Sequence, residues 1–393
     1  MDRLIFHIDV NSAFLSWEAA KRVANGEPDI RLIPSAVGRD GDKRTGVILA
    51  KSIPAKKYGI TTGEPVAMAL RKCPKLVLVK PDTALYERSS KAFIKVCKKY
   101  APVVEQYSID ECFLDMTGTH NIYPDPIALA YKIKDEIKDT LGFTVNVGIG
   151  SNKMLAKMAG DFEKPDKVHT LFTNEIQNKM WPMSVKDLLL VGKSTAEKLE
   201  RSYIKTIGEL ANADLKRIQL IVGNKLGEKI YEYANGIDDT PVLEKPEELK
   251  GYSNSVTLEE DVKTKEAAYK VLLSIVDHVS RRMRQDEVKA YCISVTIRGN
   301  DFKDHSHQRK LMEATDISNE IYDVVKELFE ELWDGYTPLR LLGVALTNLT
   351  KDDVVQFALF DDKDKEKQRK LDKALDKLKD KYGDGSIVRG RQI

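Results

Sequence analysis

Two apolar, β-prone runs, each broken by acidic side chains, limit what this 393-residue chain can fold into. Tyr107-Ser108-Ile109-Asp110-Glu111-Cys112-Phe113-Leu114-Asp115 and Phe6-His7-Ile8-Asp9-Val10 both read as strands of one sheet, with carboxylates where a strand should end. Adjacent ionised carboxylates repel each other and resist desolvation, so Asp110 and Glu111 are costly to hold beside a core. Divalent metal bound between the two runs removes that cost, because carboxylate oxygens suit hard cations. Two such ions about 3.5–4 Å apart clamp the attacking and leaving oxygens of a phosphoryl displacement. The competing reading is a pair of solvated turn acids. Successive strand residues point to opposite faces, so Asp110 and Glu111 share a site only if the backbone bends at the dipeptide.

The length exceeds what one hydrophobic core supports, and two to four domains are expected. A hydrophobic content of 42% suits soluble globules, and 32% charged residues suggests much solvated helix surface. The net charge is only +2, so composition does not point to nucleic acid; binding it requires Lys and Arg gathered on one face. Cys73, Cys97, Cys112 and Cys292 form no CxxC pair and have no histidine at zinc-ligand spacing, which fits free, mostly buried thiols in a reducing compartment. His305 and His307 read as surface residues of a polar loop. The N-terminus lacks a basic-then-apolar leader and no run approaches roughly 18 apolar residues, so a cytoplasmic monomer with no membrane partner is expected.

Four separated motifs occur in one order: Asp9-Val10-Asn11-Ser12-Ala13-Phe14; Ser108-Ile109-Asp110-Glu111; Val147-Gly148-Ile149-Gly150-Ser151-Asn152-Lys153 with Leu155-Ala156-Lys157; and Lys164-Pro165-Asp166. Together they resemble the Y-family, translesion DNA polymerases, over roughly residues 1–350. The resemblance implies an α+β multidomain right hand. Its parts are a ferredoxin-like palm (1–11 and 76–165), small fingers (12–75), a helical thumb with a helix-hairpin-helix (166–240), a linker (241–251), an α+β little finger (252–350) and a clamp-binding, charged tail (351–393). It implies that Asp9, Asp110 and Glu111, with the Val10 carbonyl, hold two Mg²⁺. Phe14 falls at the steric-gate position that blocks the ribose 2′-hydroxyl.

The elements are compatible with that plan. Residues 12–24 carry a helical apolar stripe, with Asn11 or Ser12 as N-cap, and the free N–H groups near Ala13 and Phe14 make a ready triphosphate site. Most family members have Tyr three residues before Arg in the fingers, whereas this chain has Ile53 and Lys56. Lys56 still neutralises phosphate as a point charge, but Ile53 donates no hydrogen bond. Residues 82–101 and 126–141 read as amphipathic helices and 143–149 as a strand. Ser151-Asn152 can cap the helix bearing Lys153 and Lys157. Lys164 meets the β- and γ-phosphates if the motif holds.

Residues 166–240 read as helical. Gly192, Lys193 and Thr195 lie in a helix-hairpin-helix turn that offers N–H groups to a DNA phosphate, although the family's Pro-Gly is Leu189-Leu190 here. After a linker at 239–250, the pattern gives strands 252–258, 290–298, 308–314 and 340–348 with helices 264–284 and 316–333. Arg298 is on the polar, DNA-ready face of the strand 290–298. Gln356, Leu359 and Phe360 resemble the peptide that bacterial polymerases insert into the sliding clamp, and 361–382 reads as a charged helix, solvated or weakly packed. The expected activity is template-directed, low-fidelity DNA synthesis from dNTPs on primer-template DNA, in DNA repair. The alternative is a non-catalytic DNA- and clamp-binding accessory protein on the same fold.

Overall fold

The computed structural model describes residues 3–39, 46–245, 248–351, 362–383 and 386–387. The clamp-peptide residues Gln356, Leu359 and Phe360 lie outside them. The chain divides into two compact units, Met1–Pro246 and Glu247–Ile393.

The first unit holds strands β1 (Ile5–Val10), β2 (Ser35–Gly38), β3 (Ile48–Lys51), β4 (Val77–Val79), β5 (Val103–Gln106), β6 (Glu111–Asp115), β7 (Val145–Gly150) and β8 (Val168–Leu171). The larger sheet runs β5-β6-β1-β7-β8, and a small sheet runs β3-β2-β4. β1 lies antiparallel between β6 and β7, and β5 is antiparallel to β6. With a helix in each crossover (Thr83–Cys97 and Pro126–Leu141) this is the split β-α-β order of a ferredoxin-like palm.

The period-2 pattern of β1 decides the two faces. Phe6, Ile8 and Val10 join Cys112, Leu114, Val145, Val147 and Ile149 in a core covered by the crossover helices and by Ala13–Ala24. Those helices start where the sequence supplies caps: Asp82 accepts from the Leu85 N–H, and Asp125 accepts from Ile127 and Ala128 ahead of Pro126. The other face carries Ile5, His7, Asp9, Glu111 and Phe113. Helix Lys153–Asp161, capped by Asn152 through the Leu155 N–H at 2.8 Å, lies on part of it. That helix comes so close that a Cβ on Gly148 would stand 2.0 Å from the Ala156 carbonyl oxygen.

Three segments differ from the sequence reading. β8 pairs parallel to β7 and extends the palm sheet past residue 165, into a stretch read as wholly helical. β4 pairs with β2, so residues 77–79 belong to the small sheet of the fingers. The start of the linker is pinned: Val242 is buried with Ile5 and Phe113, the Leu243 N–H donates to Glu105 at 2.7 Å, and Arg3 donates to the Thr240 carbonyl. The proline and charges of 239–250 hid this, because one buried valine and a few polar contacts made by backbone atoms carry the docking.

In the thumb, helices Lys193–Arg201, Ile207–Ala211, Leu215–Val222 and Asn224–Ala234 close over Met154, Leu155, Leu199, Ile207 and Ile230. Gly223 joins the last two with φ near 93°, a conformation glycine reaches at no steric cost. Leu190 sits at φ 73°. There a leucine occupies the left-handed conformation for which the family's glycine is suited.

The second unit contains β9 (Gly251–Val262), β10 (Lys289–Gly299), β11 (Asp304–Thr315) and β12 (Leu339–Thr350), ordered β11-β10-β12-β9. Ile293, Val295 and Ile297 of β10 are buried with Leu342, Val344 and Leu346 beneath helices Lys265–Gln285 and Ser318–Leu332. His305 and His307 lie on β11, not in a loop, and are exposed. The C-terminal helix Asp362–Tyr382 keeps one side in solvent, as expected, but is not weakly held, since Arg284, Arg281 and Asp316 bind it through ion pairs. The sequence missed this because it has few apolar residues; its attachment is ionic.

Candidate active site

The antiparallel register places Asp9 directly opposite Glu111, and the Val10 N–H donates to the Asp110 carbonyl at 2.9 Å. Asp9 and Glu111, about a hundred residues apart in sequence, therefore face each other at one edge of the palm, with the Asp110 backbone bonded beside them. The bend required for Asp110 and Glu111 to act together is present. Asp110 ends a turn in which Ser108 Oγ donates to Asp110 Oδ1 at 2.6 Å and accepts from the Glu111 N–H at 3.1 Å, and β6 begins at Glu111.

The carboxylates are held by cations of the protein itself. Lys164 binds Asp9 and, at 2.8 Å, Asp161; Lys157 binds Glu111, whose Oε2 also lies 2.7 Å from His7 Nε2. Burial raises the Asp9 pKa, and the Lys164 ammonium opposes that rise without cancelling it. For Glu111 burial also acts upward, but hydrogen bonds from His7 and Lys157 win and hold it at about 2. Burial pushes Lys164 down, but Asp9 and Asp161 together outweigh it and raise its pKa, so it stays charged. Among the described residues no three acidic, histidine or cysteine side chains converge closely enough to grip a metal as they stand. Lys157 and Lys164 each occupy one oxygen of Glu111 and Asp9. The donor set is nonetheless hard oxygen, and a buried carboxylate with a raised pKa is one whose desolvation a stronger cation offsets.

A polar network explains the Lys164-Pro165-Asp166 motif. Asn11 Oδ1 accepts from the Asp166 N–H and the Thr144 hydroxyl, each at 3.0 Å, while Asn11 Nδ2 donates to Asn146 Oδ1 at 3.0 Å. Asn146 in turn donates to the Glu163 carbonyl at 2.6 Å. Lys134 and Lys138 bind the Asp166 carboxylate at 2.8 and 3.1 Å. The motif is thus tied to β1 and β7, which brings Lys164 to Asp9. Neither Asn11 nor Ser12 caps helix Ala13–Ala24 with its side chain, contrary to the sequence expectation, because Asn11 is committed to this network and Ser12 is left-handed at φ 49°. The first-turn N–H groups are left for a ligand.

A cleft of about 460 Å³ opens beside Asp9, walled by Ser12, Lys51, Ile53, Lys56 and Lys164 among others. Asp110, Glu111 and Phe14 do not line it. Phe14 is half-buried, stacked on Tyr86 with ring centroids 4.7 Å apart and edge-on to Trp17 at 5.8 Å. Tyr86 is itself fixed by donating to Glu18 at 2.9 Å. Ile53 is exposed and begins the short helix Ile53–Lys56, which Ser52 caps through the Ala55 N–H at 3.1 Å. Sequence reasoning gave no site role to His7, Asn146 or the cleft residues Arg31 and Lys51, and placed Asn11 and Lys157 in motifs without finding their partners. Lys51 is held below the usual lysine range by burial and then by Lys56. An out-of-place His in an apolar strand was the one visible clue.

The other expected contacts are elsewhere. Gly192 precedes helix Lys193–Arg201 with open space where a Cβ would stand, and Lys193 and Thr195 are in that helix's first turn. Arg298 is engaged by Asp304, Nε to Oδ1 at 2.5 Å and Nη2 to Oδ2 at 2.8 Å, across the β10–β11 hairpin.

The impB/mucB/samB family matches residues 8–161, its C-terminal domain matches 249–359, and the thumb domain of DNA polymerase-iota matches 186–238. DNA polymerase IV of Clostridium acetobutylicum is 44% identical over 392 residues, spanning 99% of this chain and 98% of that one. The chain belongs to the Y family of DNA polymerases. Another relative, DNA polymerase IV 2 of Bacillus subtilis strain 168, is 34% identical and spans 100% of this chain and 95% of its own. A solved Y-family DNA polymerase chimera of Dbh and Dpo4 shares the fold, with a TM-score of 0.78 at 23% identity, covering 89% of this chain and all of the other. Membership in this Y family makes the chain a DNA-directed DNA polymerase and disfavours the accessory-protein alternative. No helix among the described residues is long and apolar enough to cross a membrane.

The electrostatics give one stability prediction. A carboxyl whose folded-state pKa exceeds its unfolded value destabilises the fold at pH above both, and the loss sets in as pH rises through that pKa. Asp9→Asn removes the charge while Lys164 keeps Asp161. In EDTA at pH 7 the variant should therefore melt higher than the wild type, by about 2–4 °C for each kcal/mol recovered. Differential scanning calorimetry checks this, and a lower midpoint would contradict it.

Proposed function

We propose that the Y-family chain extends a primer 3′ end on template DNA by nucleotidyl transfer at the Asp9–Asp110–Glu111 edge, as a low-fidelity translesion enzyme of the cytoplasm that works as a monomer in DNA repair. The observation that supports it best is the register: Asp9 opposite Glu111, with Asp110 bonded to the Val10 backbone. These carboxylates, assisted by the Val10 carbonyl, are the groups to hold two Mg²⁺, which supply charge neutralisation and a lowered pKa for the 3′-hydroxyl. For the carboxylates to do so, Lys164 and Lys157 exchange from carboxylate to phosphate or solvent. Lys164 and Lys56 then face the triphosphate from two walls of the cleft, and the free N–H groups at Ala13 and Phe14 receive its phosphates. Phe14, backed by Tyr86 and Trp17, acts as the steric gate. Gly192, Lys193, Thr195 and Arg298 are assigned to the DNA backbone, Arg298 only after release from Asp304. Gln356, Leu359 and Phe360 are assigned to a sliding clamp.

Primer extension on undamaged and abasic templates tests the reading. It should proceed with dNTPs on both, and failure on undamaged DNA with dNTPs and Mg²⁺ would refute it. Phe14→Ala should raise ribonucleotide incorporation at least about tenfold, the usual worth of one steric contact. Unchanged dNTP/rNTP discrimination in that variant would remove Phe14 from the role.

A further inference from the structure

We infer that the outer face of the C-terminal helix, Asp362–Tyr382, binds the sugar-phosphate backbone of nucleic acid. Along the sequence this helix intersperses acids among lysines, with a modest excess of basic residues and no obvious segregation of the two signs. The fold sorts the two signs. On the inner side, Asp372, Asp376 and Asp380 recur every four residues and so share one face. Arg284 Nε reaches Asp376 at 2.7 Å and its Nη1 lies 3.6 Å from Asp372, which also accepts from the Ser318 N–H at 2.9 Å. Arg281 and Gln285 meet Asp380, and Arg369 binds Asp316 at 2.7 Å. The Arg284 and Asp372 side chains are only 5% and 6% exposed, so these pairs are the attachment and not passing surface contacts.

The outer side is then left to lysine. Lys367, Lys370, Lys373, Lys377 and Lys381 are all exposed and recur at three or four residues, one continuous stripe. At 1.5 Å rise per residue the stripe runs about 21 Å. Glu366 pairs with Lys370 at 2.7 Å, whereas Lys367, Lys373 and Lys377 have no carboxylate partner among the described residues. A helix docked through apolar residues would have scattered its aspartates outward and cancelled this field. Here Asp372, Asp376 and Asp380 are taken up by Arg281 and Arg284, and from Lys367 to Lys381 the exposed row is cationic.

The occupant that fits is a linear polyanion. Duplex DNA carries a negative charge about every 1.7 Å of axis, and lysines bind it as point charges without reading sequence. The choice of nucleic acid over an acidic protein rests on the polymerase reading. Binding is measured without nucleotide or metal, and extension separately, so either claim can fail alone.

The test uses the full chain with Lys370→Ala, Lys373→Ala and Lys377→Ala combined, and a fluorescein-labelled primer–template duplex followed by anisotropy across about 50–200 mM salt. Three lost phosphate contacts should weaken binding at least about tenfold and lower the slope of log K against log salt by about 2–3. The corresponding triple Lys→Arg variant should bind like the wild type. The single-turnover extension rate at saturating DNA should be unchanged, because no residue of the catalytic edge is touched. Unchanged affinity and slope would overturn the proposal and give the stripe to an acidic protein surface. Weakened binding with an unchanged slope would also overturn it, since that marks a shape effect and not phosphate contacts.

Discussion

Asp110→Ala should cripple primer extension, with about a hundred- to thousandfold loss in the single-turnover rate, while primer-template affinity stays within about twofold. The expected size follows from what is removed: one of three carboxylates at the reacting edge, where electrostatic groups typically account for ~3–4 kcal/mol each. The selectivity follows from position. Asp110 touches the Ser108 hydroxyl through its side chain, and its link to Val10 is made by backbone, which alanine retains. The thumb residues and the little finger are not altered. Quench-flow extension and anisotropy on the same preparation check both halves. Near wild-type extension would remove Asp110 from the site, and lost DNA binding would make its role structural.

Gly148→Ala should prevent folding of the palm or destabilise it by more than about 4 kcal/mol, the range reserved for backbone overlap and severe overpacking. The added methyl would sit 2.0 Å from the Ala156 oxygen, 2.3 Å from the Gly160 nitrogen and 2.9 Å from its Cα. All three are backbone atoms, so no rotamer change relieves the clash. Helix Lys153–Asp161 must lift off β7, and it carries Lys157 away from Glu111. Urea unfolding followed by circular dichroism measures the loss. A stable variant with wild-type midpoint would show that the helix does not seat on this strand. Gly192→Ala is the contrast, since nothing stands within 4 Å of a Cβ there.

How much of this was readable in the sequence depends on the kind of force involved. The palm strands, the crossover helices and all six elements expected between 252 and 348 appear, because alternation and apolar stripes record which face meets a core. The pairing of Asp9 with Glu111 was reachable only through motif order, as register is a property of two distant strands. What escaped notice was carried by polar or ionic contact. The hold of Lys157 on Glu111 depends on a helix that crosses Gly148 and Gly150, and that of His7 on the pairing of two distant strands. Docking of the C-terminal helix through Arg284 and Asp376 leaves no hydrophobic periodicity to find. The cap of Ala13–Ala24 was misplaced for a related reason, since Asn11 has a second set of partners, Asn146 and Asp166, that outcompetes the helix end.

Departures from the family pattern also gain a physical setting. Ile53 is exposed on the cleft wall beside Lys56, and Lys51, on the adjoining strand, adds a cation there. Lys56 keeps the single charge of a bidentate arginine without its fork, so geometry is relaxed, and Lys51 adds a second cation to the wall.

Single-turnover extension of a labelled primer by the full chain, as MgCl₂ is titrated into an EDTA-stripped reaction, tests the carboxylate edge most directly. The account predicts no extension without metal, a rate that rises with more than first-order dependence on Mg²⁺ as two ions load, and loss of that response in Glu111→Gln. Extension in EDTA, or a Glu111→Gln enzyme that responds to Mg²⁺ as the wild type does, would contradict it.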